Sequence, residues 1–208
     1  MTSALTDHGP YEFAVNEAGD DYIDLANTYL FVEAQIVDDD DAAFDGGEDV
    51  GPVNLWMHSL FNDVSFSLNE KLVSQPTSLY SYRAYIETLL SYGPADKESQ
   101  LTGGMLYKDT PGHQDKTTAA NKGFKSRKAL TAQSKSVQMM GKLHLDLFFQ
   151  EKYLLNYDNL KIKLRRSRDM FGLMADAQNY KIKIKDLALF VRDIQLNPAV
   201  RMGHVKAL

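Results

Sequence analysis

Val50–Gly93 reads VGPVNLWMHSLFNDVSFSLNEKLVSQPTSLYSYRAYIETLLSYG, and three hydrophobic periodicities follow one another in it. Val53–Leu60 is apolar at helical spacing. Val64, Phe66 and Leu68 then alternate with Ser65 and Ser67, the period of two that turns one strand face to a core and the other to water. Tyr82, Tyr85, Ile86, Leu89 and Leu90 return to helical spacing. Between strand and second helix, Asn69-Glu70 is the turn of a hairpin returning over Lys71–Ser74, and Asn-Glu leaves the turn type open. Thr77 or Ser78 is placed to cap the second helix, and Gly93-Pro94 to stop it. The stretch holds the sole tryptophan, Trp56, and four tyrosines, Tyr80, Tyr82, Tyr85 and Tyr92. It holds no catalytic motif.

Strand grammar dominates on both sides. Upstream, Tyr11–Val15 is a short strand, and Tyr22–Asp38 is a long one whose strongest part is Thr28–Val37, rich in β-branched and aromatic residues. Downstream, Val137, Met139, Gly141, Leu143 and Leu145 alternate with polar residues, which places His144 on a wet face. Leu147–Leu155 has helical spacing. Leu160, Ile162 and Leu164 alternate with Lys161, Lys163 and Arg165, and Tyr180, Ile182 and Ile184 with Lys181, Lys183 and Lys185. The inward phase changes near Lys185-Asp186, as at a bulge or a strand that switches sheets. Eight or nine strands with a few short helices, not alternating β and α, predict an all-β antiparallel sandwich over residues 1–208, with the helices in connecting loops. Ala95–Ser136 is a polar excursion with four glycines, expected as a surface insertion with a mobile loop over Lys108–Ala120.

Charge is split along the chain. Residues 1–120 carry a net of about −16 and residues 121–208 about +11, within a total of −5. Opposed halves can bind each other within a fold or across subunits, or show a basic face to a polyanion. Asp38–Asp49, DDDDAAFDGGED, reads as a solvated loop; as a calcium site it lacks the alternating ligands and late glutamate of an EF-hand. Arg165, Arg166 and Arg168 suit phosphate, but better a solvated strand end or a subunit salt bridge. The tyrosines suit base stacking or, more simply, a core or protein interface. There is no cysteine, so no disulfide or thiolate zinc site forms. The residues from Met1 carry no secretory leader pattern, and no run approaches the roughly 18 apolar residues of a membrane span. The five histidines lack metal spacing, and GxSxG, P-loop and GxGxxG are absent. An enzyme here requires His58 or His144 within about 3.2 Å of a carboxylate in a polar pocket. A β-sandwich module binding a glycan or other ligand requires an exposed aromatic platform.

Read together, GPYEFAV, DDYIDLANTYLFVEAQI, VGPVNLWMHSLFNDVSFSLNEKLVS, YSYRAYIETLLSYG, KESQLTGGMLYKDTPG, HLDLFFQEKYLLN, LKIKLRRSRDMF and YKIKIKDLALFVRDIQLNPAV span nearly the whole chain. In that order they resemble the major capsid protein of Polinton/Maverick elements and adintovirus-like viruses. The resemblance implies a double jelly-roll protein of which this chain is the N-terminal half, with 198–208 starting the connection to a second jelly roll. It implies homotrimers that form pseudo-hexagonal capsomers of an icosahedral shell, and a truncated or transposon-integrated copy. It further implies a virion location, assembly in host nucleus or cytoplasm, self and a minor (penton) capsid protein as partners, and no cofactor, small-molecule substrate or direct nucleic-acid contact. Trp56, His58, Phe61, Tyr82, Arg83, Tyr85, Phe148 and Phe149 are the residues expected in the core or at a subunit interface. If Trp56 and Tyr85 are fully buried, truncating either to Ala costs about 3–5 kcal/mol.

Overall fold

A computed structural model describes residues 9–16, 21–74, 76–155, 159–176 and 179–207. Nine strands run through them: β1 (Tyr11–Asn16), β2 (Tyr22–Asp38), β3 (Val50–Pro52), β4 (Phe61–Leu68), β5 (Lys71–Leu72), β6 (Val137–Gly141), β7 (Asn159–Arg166), β8 (Leu173–Ala175) and β9 (Tyr180–Ile194). The helices are α1 (Trp56–Ser59), α2 (Tyr80–Ser91), α3 (Pro94–Glu98), α4 (Lys122–Thr131) and α5 (Pro198–Ala207).

Every strand pair is antiparallel. One sheet has the order β1-β7-β4-β5, a second β6-β2-β9, and β3-β8 form a separate ribbon. A jelly roll lettered B to I along the chain has sheets C-H-E-F and B-I-D-G. Assigning C, D, E, F, G, H and I in chain order to β1, β2, β4, β5, β6, β7 and β9 reproduces C-H-E-F in the first sheet and I-D-G in the second. A strand B would precede β1; residues 1–8 lie outside the described residues. The fold is therefore an antiparallel jelly-roll sandwich, with β3-β8 and the helices added between its strands.

The inner faces follow the alternation in the sequence. Tyr11, Phe13 and Val15 of β1 are buried with Leu160, Ile162 and Leu164 of β7, and with Leu30, Val32, Ala34 and Ile36 of β2. Burying one such side chain is worth about 1.5–3 kcal/mol, against about 0–1 for an exposed ion pair, so these faces hold the sandwich together. In β9 the phase change is a bulge at Lys185. Glu33 pairs with Asp186 but Ala34 with Ile184. Tyr180 and Ile182 point inward before it, Leu187 and Leu189 after it. The β4–β5 hairpin resolves its open turn: Asn69 and Glu70 both have positive φ, 48° and 65°, the pattern of a type I′ turn.

Some of the opposed charges meet within the chain: Lys161 and Lys163 pair with Glu12, Lys183 with Asp41, and Lys128 with Asp49. Lys181 donates to the Asp39 carbonyl. The acidic loop is thus laced to β9 and to Lys128, and among the described residues no group of three or more acidic or histidine side chains is placed to hold a metal ion.

Several expectations change. The 95–136 excursion is not merely a surface insertion. Its Lys122–Thr131 segment is helix α4, which packs on β3 and buries Phe124 and Arg127. Arg127 is completely enclosed, donating to the Pro52 and Tyr107 carbonyls at 2.9 Å and pairing with Asp109 at 3.0 Å. Gly123 allows this close approach: a Cβ there would lie 2.6 Å from the Tyr107 carbonyl oxygen. The strand expected through Leu145 ends at Gly141, and the chain turns beneath α2, so His144 is buried rather than wet. Leu147–Leu155 is no helix. It forms a 3-10 turn at Asp146–Phe149, and Leu154 then bridges to Ile23 like a strand residue. Neither Thr77 nor Ser78 caps α2, whose N-cap is Leu79; the Thr77 hydroxyl accepts the Leu79 N–H instead.

Candidate functional site

Helix α2 is built inside out. Its spacing puts Tyr80, Ser81, Ala84 and Thr88 on one face, and these are buried. Leu79, Tyr82, Ile86, Leu89 and Leu90 lie on the opposite face, in water. A surface helix ordinarily turns its apolar stripe to the core. Here the mostly small and polar face is held inward by a chain of hydrogen bonds.

That chain starts in α1. His58 is buried and its Nδ1 lies 2.9 Å from the Tyr80 hydroxyl. The same hydroxyl accepts the His144 backbone N–H at 3.3 Å. Donation of its proton to His58 Nδ1 satisfies both groups, and the His58 proton then lies on Nε2. The two imidazoles meet edge to face, 4.8 Å between centroids. His144 donates from Nδ1 to Glu87 at 2.8 Å, so its Nε2 accepts from the Thr88 hydroxyl at 3.4 Å. Arg83 bridges Glu87 at 2.6 Å and Asp146 at 2.5 Å. The residues of this strut come from α1, α2 and the β6–β7 connection.

Burial holds both histidines below their ordinary pKa. For His58, well below it, neighbouring His144 adds to the effect; for His144, Glu87 opposes it. Burial likewise raises the Tyr80 hydroxyl. Folded-state histidines with depressed pKa bind fewer protons than unfolded ones, so stability rises with pH through this range. It is complete above the unfolded value near 6.5 and falls as pH drops toward the folded values, by up to about 1.4 kcal/mol per pH unit for each ring. Thermal melts from pH 8 to 5 are expected to show Tm falling below about pH 6.5. A His58→Gln, His144→Gln double variant flattens that slope. An unchanged slope in the variant would place its cause elsewhere.

The His–carboxylate distance that an enzyme requires is thus met by His144 and Glu87. The hydroxyl that His144 could activate belongs to Thr88, which has no solvent exposure. A nucleophile must touch its substrate, so the buried Thr88 hydroxyl does not serve as one; Glu87 and His144 themselves line an open cavity with Arg83, Tyr92 and Asp146.

The residues singled out from sequence separate into two groups. Trp56, His58, Phe61 and Phe148 are buried. Tyr82, Tyr85 and Phe149 are exposed to 55%, 36% and 45%, and Arg83 is half-exposed, so these four are not core. Tyr82 meets the ring of Phe171 edge-on at 5.6 Å, which extends the apolar face of α2 onto the β7–β8 connection. The sequence reading passed over Thr88, Glu87 and Arg127. Glu87 stands four residues after Arg83, a spacing that marks a helical ion pair, but nothing local points to His144.

No family model matches the chain. An uncharacterised protein of Caenorhabditis elegans is 28% identical over 207 residues, covering 94% of this chain and 47% of that protein. The chain thus spans about half the length of that relative. Among solved structures, PBCV-1 VP54 as fitted into a reconstruction of the virophage Sputnik aligns with a TM-score of 0.46 at 10% identity, over 98% of this chain and 42% of that one. The mavirus major capsid protein aligns with a TM-score of 0.40 at 11% identity, over 96% and 46%.

Proposed function

We propose that this chain is a structural shell protein: a jelly-roll building block of a viral capsid, similar to the major capsid proteins of Polinton/Maverick elements. The observation that carries the reading is the strand order. The segments whose succession resembles that family are the strands and connections that fall into C-H-E-F and I-D-G order. In this reading the 208 residues are the N-terminal jelly roll of a double jelly-roll protein, and three copies of the whole protein make a pseudo-hexagonal capsomer. Partners are further copies and a penton protein, and the site of action is the virion. The two sheets supply a rigid wall, and the helices inserted between strands supply the contacts.

Sedimentation velocity of the purified chain alone and mixed with a full-length homologue tests this. Assembly into trimers or larger is expected when the second half is supplied. A monomer that stays inert alongside the full-length homologue counts against it.

A further inference from the structure

We propose that the cavity between α2, the 3-10 turn at Gln100–Gly104 and the end of β6 is a binding site for a small carboxylate with a short apolar body. The proposal stands apart from the shell-protein reading, which its failure would leave untouched. The cavity has a volume of about 240 Å³. Pockets for drug-sized ligands run to roughly 300–1,000 Å³, so the occupant is smaller, a single ring or a short chain.

The walls carry donors and hold no carboxylate. The first donor is His58, which is 4% exposed. The Tyr80 hydroxyl holds its Nδ1 at 2.9 Å, and the proton on Nε2 meets no acceptor among the described residues. A buried donor left unpaired is costly, so this position favours an occupant that accepts from it. Gly141 stands beside that nitrogen, 3.8 Å from where its Cβ would be, and adds no side chain to fill the space.

The cation is Lys142. Its Nζ lies 5.9 Å from the centre of the Tyr29 ring and has no carboxylate partner among the described residues. Thr88 and His144 also line the cavity, but they bond to each other. Burial, with Asp96 and Glu87, raises the Tyr92 hydroxyl, which keeps it a donor. Those two carboxylates are engaged outside the cavity wall. Asp96 accepts the Gly93 N–H, and Glu87 pairs with Arg83 and His144.

An unpaired ammonium and an N–H without an acceptor call for an anion, and the two oxygens of a carboxylate can accept from both in charge-assisted bonds. Leu55, Leu101 and Met140 make up the apolar part of the wall, which a bare inorganic anion would leave uncovered. The adjoining cavity beside Glu87 differs. There Arg83 already pairs with Glu87 and Asp146, so its charge is spent within the chain.

The probe is benzoate, with benzamide as its uncharged counterpart, followed by proton–nitrogen correlation spectra of the imidazoles at neutral pH. Benzoate is expected to bind with a Kd on the order of 1 mM and to shift the His58 Nε2–H signal. Benzamide should bind at least about tenfold more weakly. Benzoate should lose at least about tenfold in a Lys142→Met variant, whose Tm should hold because the side chain is only half-buried. No shift at benzoate concentrations well above that Kd, equal binding of benzamide, or full affinity in Lys142→Met would each overturn the proposal. A His58→Gln variant assigns the imidazole signal; should it not fold, the Lys142→Met comparison decides.

Discussion

Replacing Arg127 with alanine should destabilise the chain by about 3–5 kcal/mol, because it leaves a buried carboxylate and two carbonyls without their cation. The guanidinium has no solvent exposure and joins four pieces of chain. It donates to Pro52 at the end of β3 and to Tyr107, pairs with Asp109, and lies 3.8 Å from the Met174 sulfur in β8. Burial lowers its pKa and Asp109 opposes that, while the guanidinium stays protonated and needs a counter-charge. Lysine offers one compact ammonium and cannot reproduce a planar fork spread over these acceptors. Urea unfolding with linear extrapolation reads the loss. An Arg127→Met, Asp109→Asn double variant should recover part of it, since removing both charges avoids the unpaired one. If Arg127→Ala falls within about 1 kcal/mol of the unaltered chain, the guanidinium is not the clamp described here.

Trp56→Ala is the second large effect, again about 3–5 kcal/mol. The indole is wholly buried at the start of α1, and its Nε1 lies only 3.4 Å from where a Cβ on Gly172 would sit. Its removal opens a cavity between α1 and the turn before β8. Trp56→Phe should cost less, because it fills most of the hole and removes a buried N–H that has no acceptor among the described residues. Tyr85→Ala should cost much less than Trp56→Ala, since Tyr85 is 36% exposed. Equal losses for the two alanine variants in the same urea experiment would contradict this division between core and surface.

The strands were legible because period two is a local signal. Tyr22–Asp38 carries its bounds in its own β-branched and aromatic residues, and the shift at Lys185 declares itself by moving the apolar residues from even to odd positions. Short or tertiary-determined pieces were not legible. β8 is three residues long and pairs with β3, more than a hundred positions earlier. The helix α4 buries Gly123, Phe124, Arg127 and Thr131, a side that reads as part of a polar surface insertion until Asp109 and the two carbonyls are in place. His144 continued an alternating pattern past the point where the strand ends, so periodicity placed it in water. The outward face of α2 was half legible. Spacing identified the apolar stripe, but the direction it faces is decided by Tyr80, Thr88 and their contacts with two distant histidines.

Electron microscopy of the chain joined to the second jelly roll that the reading requires tests the shell-protein account most directly. The account predicts particles of threefold symmetry or hexagonal arrays of them. A uniform field of monomer-sized particles at every concentration would contradict it.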